Sequence, residues 1–207
     1  MNDYRKNFRQ FVKQFYPKDF ESIIASIDTQ YILISADTKF SKISKNPIDR
    51  RLDISSYFLA LIKTLDEKAE TFEKIRKMCL DITVACIRPK SRVHAYFRRL
   101  IPKVINSWLA RLLLQALHKR VSVNNNSDGF IANIITDNQE TLGFGYGIDI
   151  IECGICKLFK KHNYSKYASI LCEIDEITSE LAGLQLLRKG TIANGAKKCD
   201  FRFKTKE

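Results

Sequence analysis

The sequence predicts an α+β fold in which an N-terminal helical region packs with a C-terminal antiparallel sheet of about four strands and two helices. Three observations carry that expectation. Apolar residues recur three and four apart through much of the first 120 positions. The turn cluster Asn124-Asn125-Asn126-Ser127-Asp128-Gly129 then marks a change of texture. Beyond it, apolar residues alternate at period two in short runs joined by tight polar turns, and strands joined that way pair antiparallel. The cluster divides the chain into a basic helical region, 1–123, and an α+β region, 124–207, expected to form one compact unit.

Taken in order, the first helix runs from Arg5 to Tyr16, where Phe8, Phe11, Val12, Phe15 and Tyr16 form a stripe that Pro17 stops. The run Tyr31-Ile32-Leu33-Ile34 fits either a short buried strand or a buried helix turn, and periodicity does not choose. Asp37 to Pro47 reads as a loop. From Asp53 a helix carries Tyr57, Leu59, Ala60, Ile62 and Leu65, and another follows from about Asp66 to Ile87, ending before Pro89. Its Phe72, Ile75, Cys79, Ile82 and Cys86 share the apolar stripe, so both thiols are expected to be buried structural groups. The clearest helix pairs Val104, Ile105, Trp108, Leu109, Leu112, Leu113, Ala116 and Leu117, with Pro102 in its first turn and Lys119 and Arg120 at its C-terminal end.

In the second region, Phe130 to Ile135 reads as a strand, Asp137 to Glu140 as a turn and Leu142 to Ile150 as the return strand. Phe144, Tyr146, Ile148 and Ile150 share one face of it, and Gly143, Gly145 and Gly147 the other. A glycine at every second position leaves that face open for something bulky, a helix or a ligand, with a helix the expected occupant. Helices over Ile151–Lys161 and Lys166–Leu181 follow. Strands over Leu184–Ile192 and Lys198–Lys204, joined through Asn194-Gly195, complete the order.

Composition bounds the function. A 207-residue chain with 45% hydrophobic and 28% charged residues has globular usage. No stretch reaches the roughly 20 uninterrupted apolar residues that a bilayer span needs; the most apolar one, Ile101 to His118, contains Lys103 and Arg111. The N-terminus runs straight into a charged amphipathic pattern, so a cytoplasmic protein is expected. The net charge of +12 is uneven: residues 1–120 hold 24 of the 35 Lys and Arg but 12 of the 23 Asp and Glu. Arg88 to Arg120 carries nine cations and no acid. That segment is either a solvated helix face or an anion-facing surface, and weak association with a membrane surface is the partner it would allow. No base-stacking motif accompanies it, so no specific nucleic acid is expected.

Six cysteines without a secretion pattern point to reduced thiols. Four fall in the α+β region: Cys153 and Cys156 as a Cys-x2-Cys pair, then Cys172 and Cys199 alone. A tetrahedral thiolate site is disfavoured because the last two lack paired partners. Alternation sends Cys199, Phe201 and Phe203 to one strand face and Asp200 and Arg202 to the other. Cys172 and Asp175, three apart, share a helix side, where the acid would raise the thiol's pKa. His94, His118 and His162 have no acid partner by spacing, so no nucleophilic triad is indicated. Nor does Gly143-x-Gly145-x-Gly147 open a phosphate-binding helix.

Three stretches nevertheless share a pattern: Tyr146 to Cys153, Leu171-Cys172-Glu173-Ile174-Asp175, and Arg188-Lys189-Gly190-Thr191-Ile192-Ala193-Asn194-Gly195-Ala196-Lys197-Lys198-Cys199-Asp200-Phe201-Arg202-Phe203. Together they resemble the L-2-amino-thiazoline-4-carboxylic acid hydrolase family, which ends in Arg-x-x-Thr-Ile/Leu-Ala-x-Gly-x-x-x-Cys-Asp-Phe-Arg-Phe. The likeness spans about residues 141–205. It implies hydrolytic opening of a five-membered cyclic amidine-thioether to N-carbamoyl-cysteine, within cysteine metabolism, with a small carboxylated substrate. By position, Asp175 is the implied acid/base with the Cys172 and Cys199 thiols beside it, and Arg188 or Arg202, with Asp200, is implied to hold the substrate carboxylate. A divalent metal stays open as an alternative means of activating water. The last helices and strands are more loosely similar to ligand-binding modules of the vinyl-reductase and transport-particle type, which implies a non-catalytic alternative.

Overall fold

The computed structural model describes residues 4–87, 107–123, 126–141 and 146–205. Helix α1 (Tyr4–Phe15) buries Phe8 and Val12 of its expected stripe. Helix α2 (Phe20–Asp37) contains the ambiguous Tyr31–Ile34 run, which is helical. Only Tyr31 and Ile34 are buried there, while Ile32 and Leu33 are 69% and 63% exposed. Two 3-10 turns, Lys39–Lys42 and Pro47–Arg50, lead into α3 (Arg51–Glu67).

Helix α3 is the central element. Leu52, Tyr57, Phe58, Leu59, Ala60, Leu61, Ile62 and Leu65 are all buried, so it is covered on every side. Its buried hydroxyls are satisfied: Ser55 donates to the Arg51 carbonyl and Ser56 to that of Leu52, while Thr64 meets Ser26 of α2 at 3.2 Å. Helix α4 (Phe72–Ile87) starts six residues later than expected. The chain breaks after Glu67 because Ala69 takes a left-handed conformation, φ 59°, letting the Ala69 and Glu70 N–H groups reach back to Asp66 and Leu65. Cys79 is fully buried, and Cys86 is half-buried with its sulfur accepting from Asn7 at 3.2 Å. Helix α5 (Trp108–Val121) is capped by the Ser107 side chain. The expected earlier turns of that helix, and the cations from Arg88 to Lys103, lie outside the described residues.

The sheet has four antiparallel strands in the order β1 (Ile131–Ile135), β2 (Gly147–Glu152), β4 (Cys199–Thr205), β3 (Leu184–Leu187). Between β2 and β3 come α6 (Gly154–Lys161) and α7 (Ala168–Leu181). Two corrections follow at the element ends. Ile151 and Glu152 extend β2 rather than open the next helix, and β3 stops at Leu187, because Ile192–Asn194 is a 3-10 turn capped by Thr191. The register pairs Ile148 with Phe201, Ile150 with Cys199, and Leu186 with Phe203, all on the face that the helices cover.

The glycine face is the other one, and its described occupant differs from expectation. A Cβ at Gly147 would stand 2.9 Å from the Arg202 side chain and from the Phe201 carbonyl, so the strand's neighbour fills that space, not a helix. Gly143 and Gly145 lie outside the described residues.

The two regions of the sequence are joined by many polar contacts as well as by the core. Asn46 donates to the Phe130 carbonyl at 2.9 Å, and buried Asp49 accepts from the Phe130 N–H at 2.9 Å. The Arg76 guanidinium grips Glu173, Tyr167 donates to Asp66, and His162 meets Asp37 at 3.0 Å. That last contact gives His162 an acid partner which sequence spacing could not supply. His118 also has a structural role, its Nδ1 accepting from the Ile134 N–H at 3.1 Å. Among the described residues, no helix is long and apolar enough to cross a membrane.

Candidate functional site

The site begins where β2 turns into α6. Cys153 is the N-cap of that helix and Cys156 lies in its first turn. Gly154 sits tightly between them, since a Cβ there would stand 3.0 Å from the Asp128 carbonyl and 3.1 Å from the Phe130 ring. Helix α7 supplies Cys172 and Asp175, β4 supplies Cys199, and α3 reaches across with Arg51, its first residue. These six side chains line one small cavity of about 20 Å³, with Phe130, Ile150, Leu171 and Phe201 among the apolar groups that close it. That volume suits a single water molecule.

Arg51 donates to Asp175 in an ion pair whose members are 124 residues apart in the chain. The carboxylate is 15% exposed and the guanidinium 38%. Both face a second, far larger cavity of about 670 Å³, bounded by α3, α4, α5, α7 and the covered face of the sheet. The ion pair therefore forms part of a wall common to a roomy apolar chamber and a small thiol-lined one.

The four thiols do not have equivalent surroundings. Cys153 is held below the ordinary thiol range by the adjoining Cys156 thiol, against the opposing effect of burial; the N–H groups at the start of α6 and the Arg51 guanidinium act in the same direction. Its partner Cys156 is raised by Cys153 and by burial. Burial pushes Cys172 up to about 12, with the Thr191 side chain working against the rise. Cys199 is also raised by burial, although its sulfur accepts from the Ile192 N–H at 3.2 Å. At neutral pH, Cys172 and Cys199 are thus protonated thiols, while Cys153 has the most thiolate character of the four. All six cysteines are unpaired.

The expected site residues are distributed over both sides of the sheet. Cys172, Asp175 and Cys199 share the small cavity. Arg188 does not line it: it donates to the Cys172 carbonyl at 3.4 Å and to Glu176 at 2.6 Å, with its guanidinium over the Phe201 ring, and shares with Asp200 and Arg202 a separate cavity of about 580 Å³. Asp200 and Arg202 are on the opposite sheet face, as strand alternation requires. Asp200 accepts from the Lys189 and Gly190 N–H groups and so fixes the loop after β3. Arg202 pairs with Asp149 at 2.9 Å, and Lys198 pairs with the other oxygen of that carboxylate. Burial raises Asp149, but the two cations outweigh it and hold the carboxyl below its ordinary range. Among the described residues, no group of three or more His, Cys, Asp or Glu side chains is arranged to hold a metal ion.

Three of the six side chains of the small cavity, Arg51, Cys153 and Cys156, are not among the catalytic residues expected from sequence, where the two thiols are weighed only as a metal-binding pair. Arg51 follows another arginine at the start of a helix, and no spacing rule links it to Asp175. Cys153 carried a usable signal, a Cys-Gly step between an alternating strand and an amphipathic helix, which places a side chain at a helix N-terminus.

A family model described as L-2-amino-thiazoline-4-carboxylic acid hydrolase matches residues 51–203. The matched stretch starts at Arg51 and contains every residue of the small cavity. No curated protein and no solved structure matches the chain.

Proposed function

The chain belongs to the L-2-amino-thiazoline-4-carboxylic acid hydrolase family, and from that premise we propose that it hydrolyses a small cyclic amidine of the thiazoline-carboxylate type in the cytoplasm. The observation that carries the reading is the convergence of one acid and one cation, Asp175 and Arg51, at the wall between the large cavity and the thiols. A substrate that bears a carboxylate beside an amidine needs both.

The reaction asks little of the protein beyond placement and proton traffic. Water adds to the ring carbon between nitrogen and sulfur, and the bond from that carbon to sulfur breaks. The water oxygen becomes the new carbonyl; one of its protons ends on the ring nitrogen and the other on the departing sulfur. In this proposal Asp175 accepts the proton from the attacking water and passes it on. Arg51 takes the carboxylate, with the planar fork geometry that suits it. Cys172 and Cys199, as neutral thiols beside Asp175, act as proton-relay groups and not as nucleophiles. Asp200 and Arg202 would have to reach through the sheet to grip this substrate, so in the proposal they brace β2 and β4 instead, while Arg188 positions Cys172.

Purified protein incubated with the thiazoline acid should release one new thiol per turnover, measured with a disulfide reagent and identified as carbamoyl-cysteine by mass. Asp175→Asn is expected to lower kcat by about 10²–10⁴-fold, and Arg51→Met to act mainly on KM. Wild-type protein that generates no thiol removes the proposal. The non-catalytic alternative draws on the apolar lining of the large cavity, and a ligand that binds there and is recovered unchanged would select it.

A further inference from the structure

The large cavity does not match a bare thiazoline acid. Its volume of about 670 Å³ falls within the ~300–1,000 Å³ typical of sites for drug-sized ligands. The bare acid has only the bulk of a free histidine. Most of the lining is apolar, including Ile54, Phe58, Ile134, Ile148, Ile174 and Leu184. Of the hydroxyls that face the cavity, the four on α3, α4 and α7 are committed elsewhere, and Tyr146, just before β2, adds a fifth. Ser55, Thr83, Thr178 and Ser179 each donate to the carbonyl four residues earlier on their own helix, at 2.6 to 2.8 Å. Among the described residues, the charged groups of the lining are Arg51 and Asp175, which stand together at one corner.

That distribution defines a ligand with two parts. The corner suits a head that carries an anion and an amidine, the anion toward Arg51 and the amidine toward Asp175. Along α3, α4 and α7 the remainder disfavours groups that need a hydrogen-bond donor, because hydroxyls already donating to their own helix offer none to replace lost water contacts. We propose that the substrate is a cyclic amidine acid carrying a bulky alkyl or aryl substituent, with the ring at the Arg51–Asp175 corner and the substituent filling the chamber. The proposal rests on the hydrolase reading for the head group and on the cavity alone for the substituent. Opening such a ring follows the balance given above: water oxygen to carbon, carbon–sulfur bond broken, protons to ring nitrogen and sulfur. An alkyl group on the exocyclic nitrogen is retained in the urea product.

The test uses a series of 2-(alkylamino)thiazoline-4-carboxylates of increasing chain length, with Kd measured by calorimetry and turnover by thiol release. Affinity should rise roughly fourfold for each methylene that the cavity buries and level off once it is full. Ala182→Phe and Ile87→Trp, which fill the cavity from the residue capping α7 and from the last residue of α4, should each flatten that dependence, the second variant guarding against misfolding of the first. A bare ring that is opened while longer chains bind no better overturns the substituent and leaves the hydrolase reading intact. A chain-length gain with no ring opened in any member does the reverse. A gain that survives in both filled variants, each shown to be folded, places the chain elsewhere and also overturns the proposal.

Discussion

Cys172 shows how one residue can be placed by sequence and yet take its properties from distant neighbours. Its position three residues before Asp175 on one helix side was legible from spacing alone. What moves its thiol from an ordinary 9.0 up to about 12 is first burial, supplied by the packing of α7 on the sheet, with the Asp175 charge a lesser contribution. The consequence for stability has a definite sign. A native thiol with a raised pKa stays protonated after the unfolded chain has begun to ionise. Its contribution is complete below about 9.0 and is lost as the pH climbs toward 12. Urea unfolding across that window should therefore show wild-type stability falling more steeply than that of Cys172→Ala; equal slopes would mean that the thiol is not held neutral. Arg51 is the contrasting case, since nothing in its local sequence distinguishes it from the adjacent Arg50 and only the tertiary fold brings it to Asp175.

At the scale of elements, the connection between the second 3-10 turn and β1 is made by side chains acting as a missing strand. Asn46 Nδ2 donates to the Phe130 carbonyl and Asp49 Oδ1 accepts from the Phe130 N–H, both at 2.9 Å. Asp49 is buried, also accepts from Ser44, and has its Oδ1 only 3.0 Å from where a Gly129 Cβ would be. Asp49→Ala leaves the Phe130 N–H buried without a partner and should cost about 2 kcal/mol. Asp49→Asn keeps an acceptor and should recover most of that loss, as measured by the urea midpoint. A smaller effect for Ala than for Asn would contradict the clasp. Periodicity made the helical stripes and the alternating strands readable, because burial on one face leaves that trace in the residues themselves. Boundaries were less readable. The left-handed Ala69 that ends α3 has no glycine to announce it, and Ile151-Glu152 continues the strand where the residue types alone fit a helix start. Gly147 signalled a close approach correctly in kind, but sequence could not say that the approaching group is the Arg202 side chain.

For the molecule as a whole, we propose that the change of texture at 124–129 is a boundary of composition and not of folding, because side-chain contacts cross it. Arg51 to Asp175, Arg76 to Glu173, Asp66 to Tyr167 and Asp37 to His162 all cross it, as does the Asn46 bond to Phe130. One hydrophobic core runs from Phe8 through Tyr57 and Phe130 to Phe203. The first two helices precede the family-matched stretch, yet Phe8, Val12, Ile23, Ile27 and Ile34 are fully buried. We therefore expect regions 1–123 and 124–207 to unfold together. Amide hydrogen exchange in residues 4–87 reports on the helical region, and the far-ultraviolet dichroism reports on all the secondary structure. The two urea transitions should superimpose, with equal midpoints and slopes. Shortening the chain to residues 51–207 strips away partners of α3, the most buried of the described helices, so the truncated protein should show no cooperative transition. A truncated chain with a sharp transition of its own, or a full chain whose two probes separate, would establish instead that the molecule is assembled from independently stable parts.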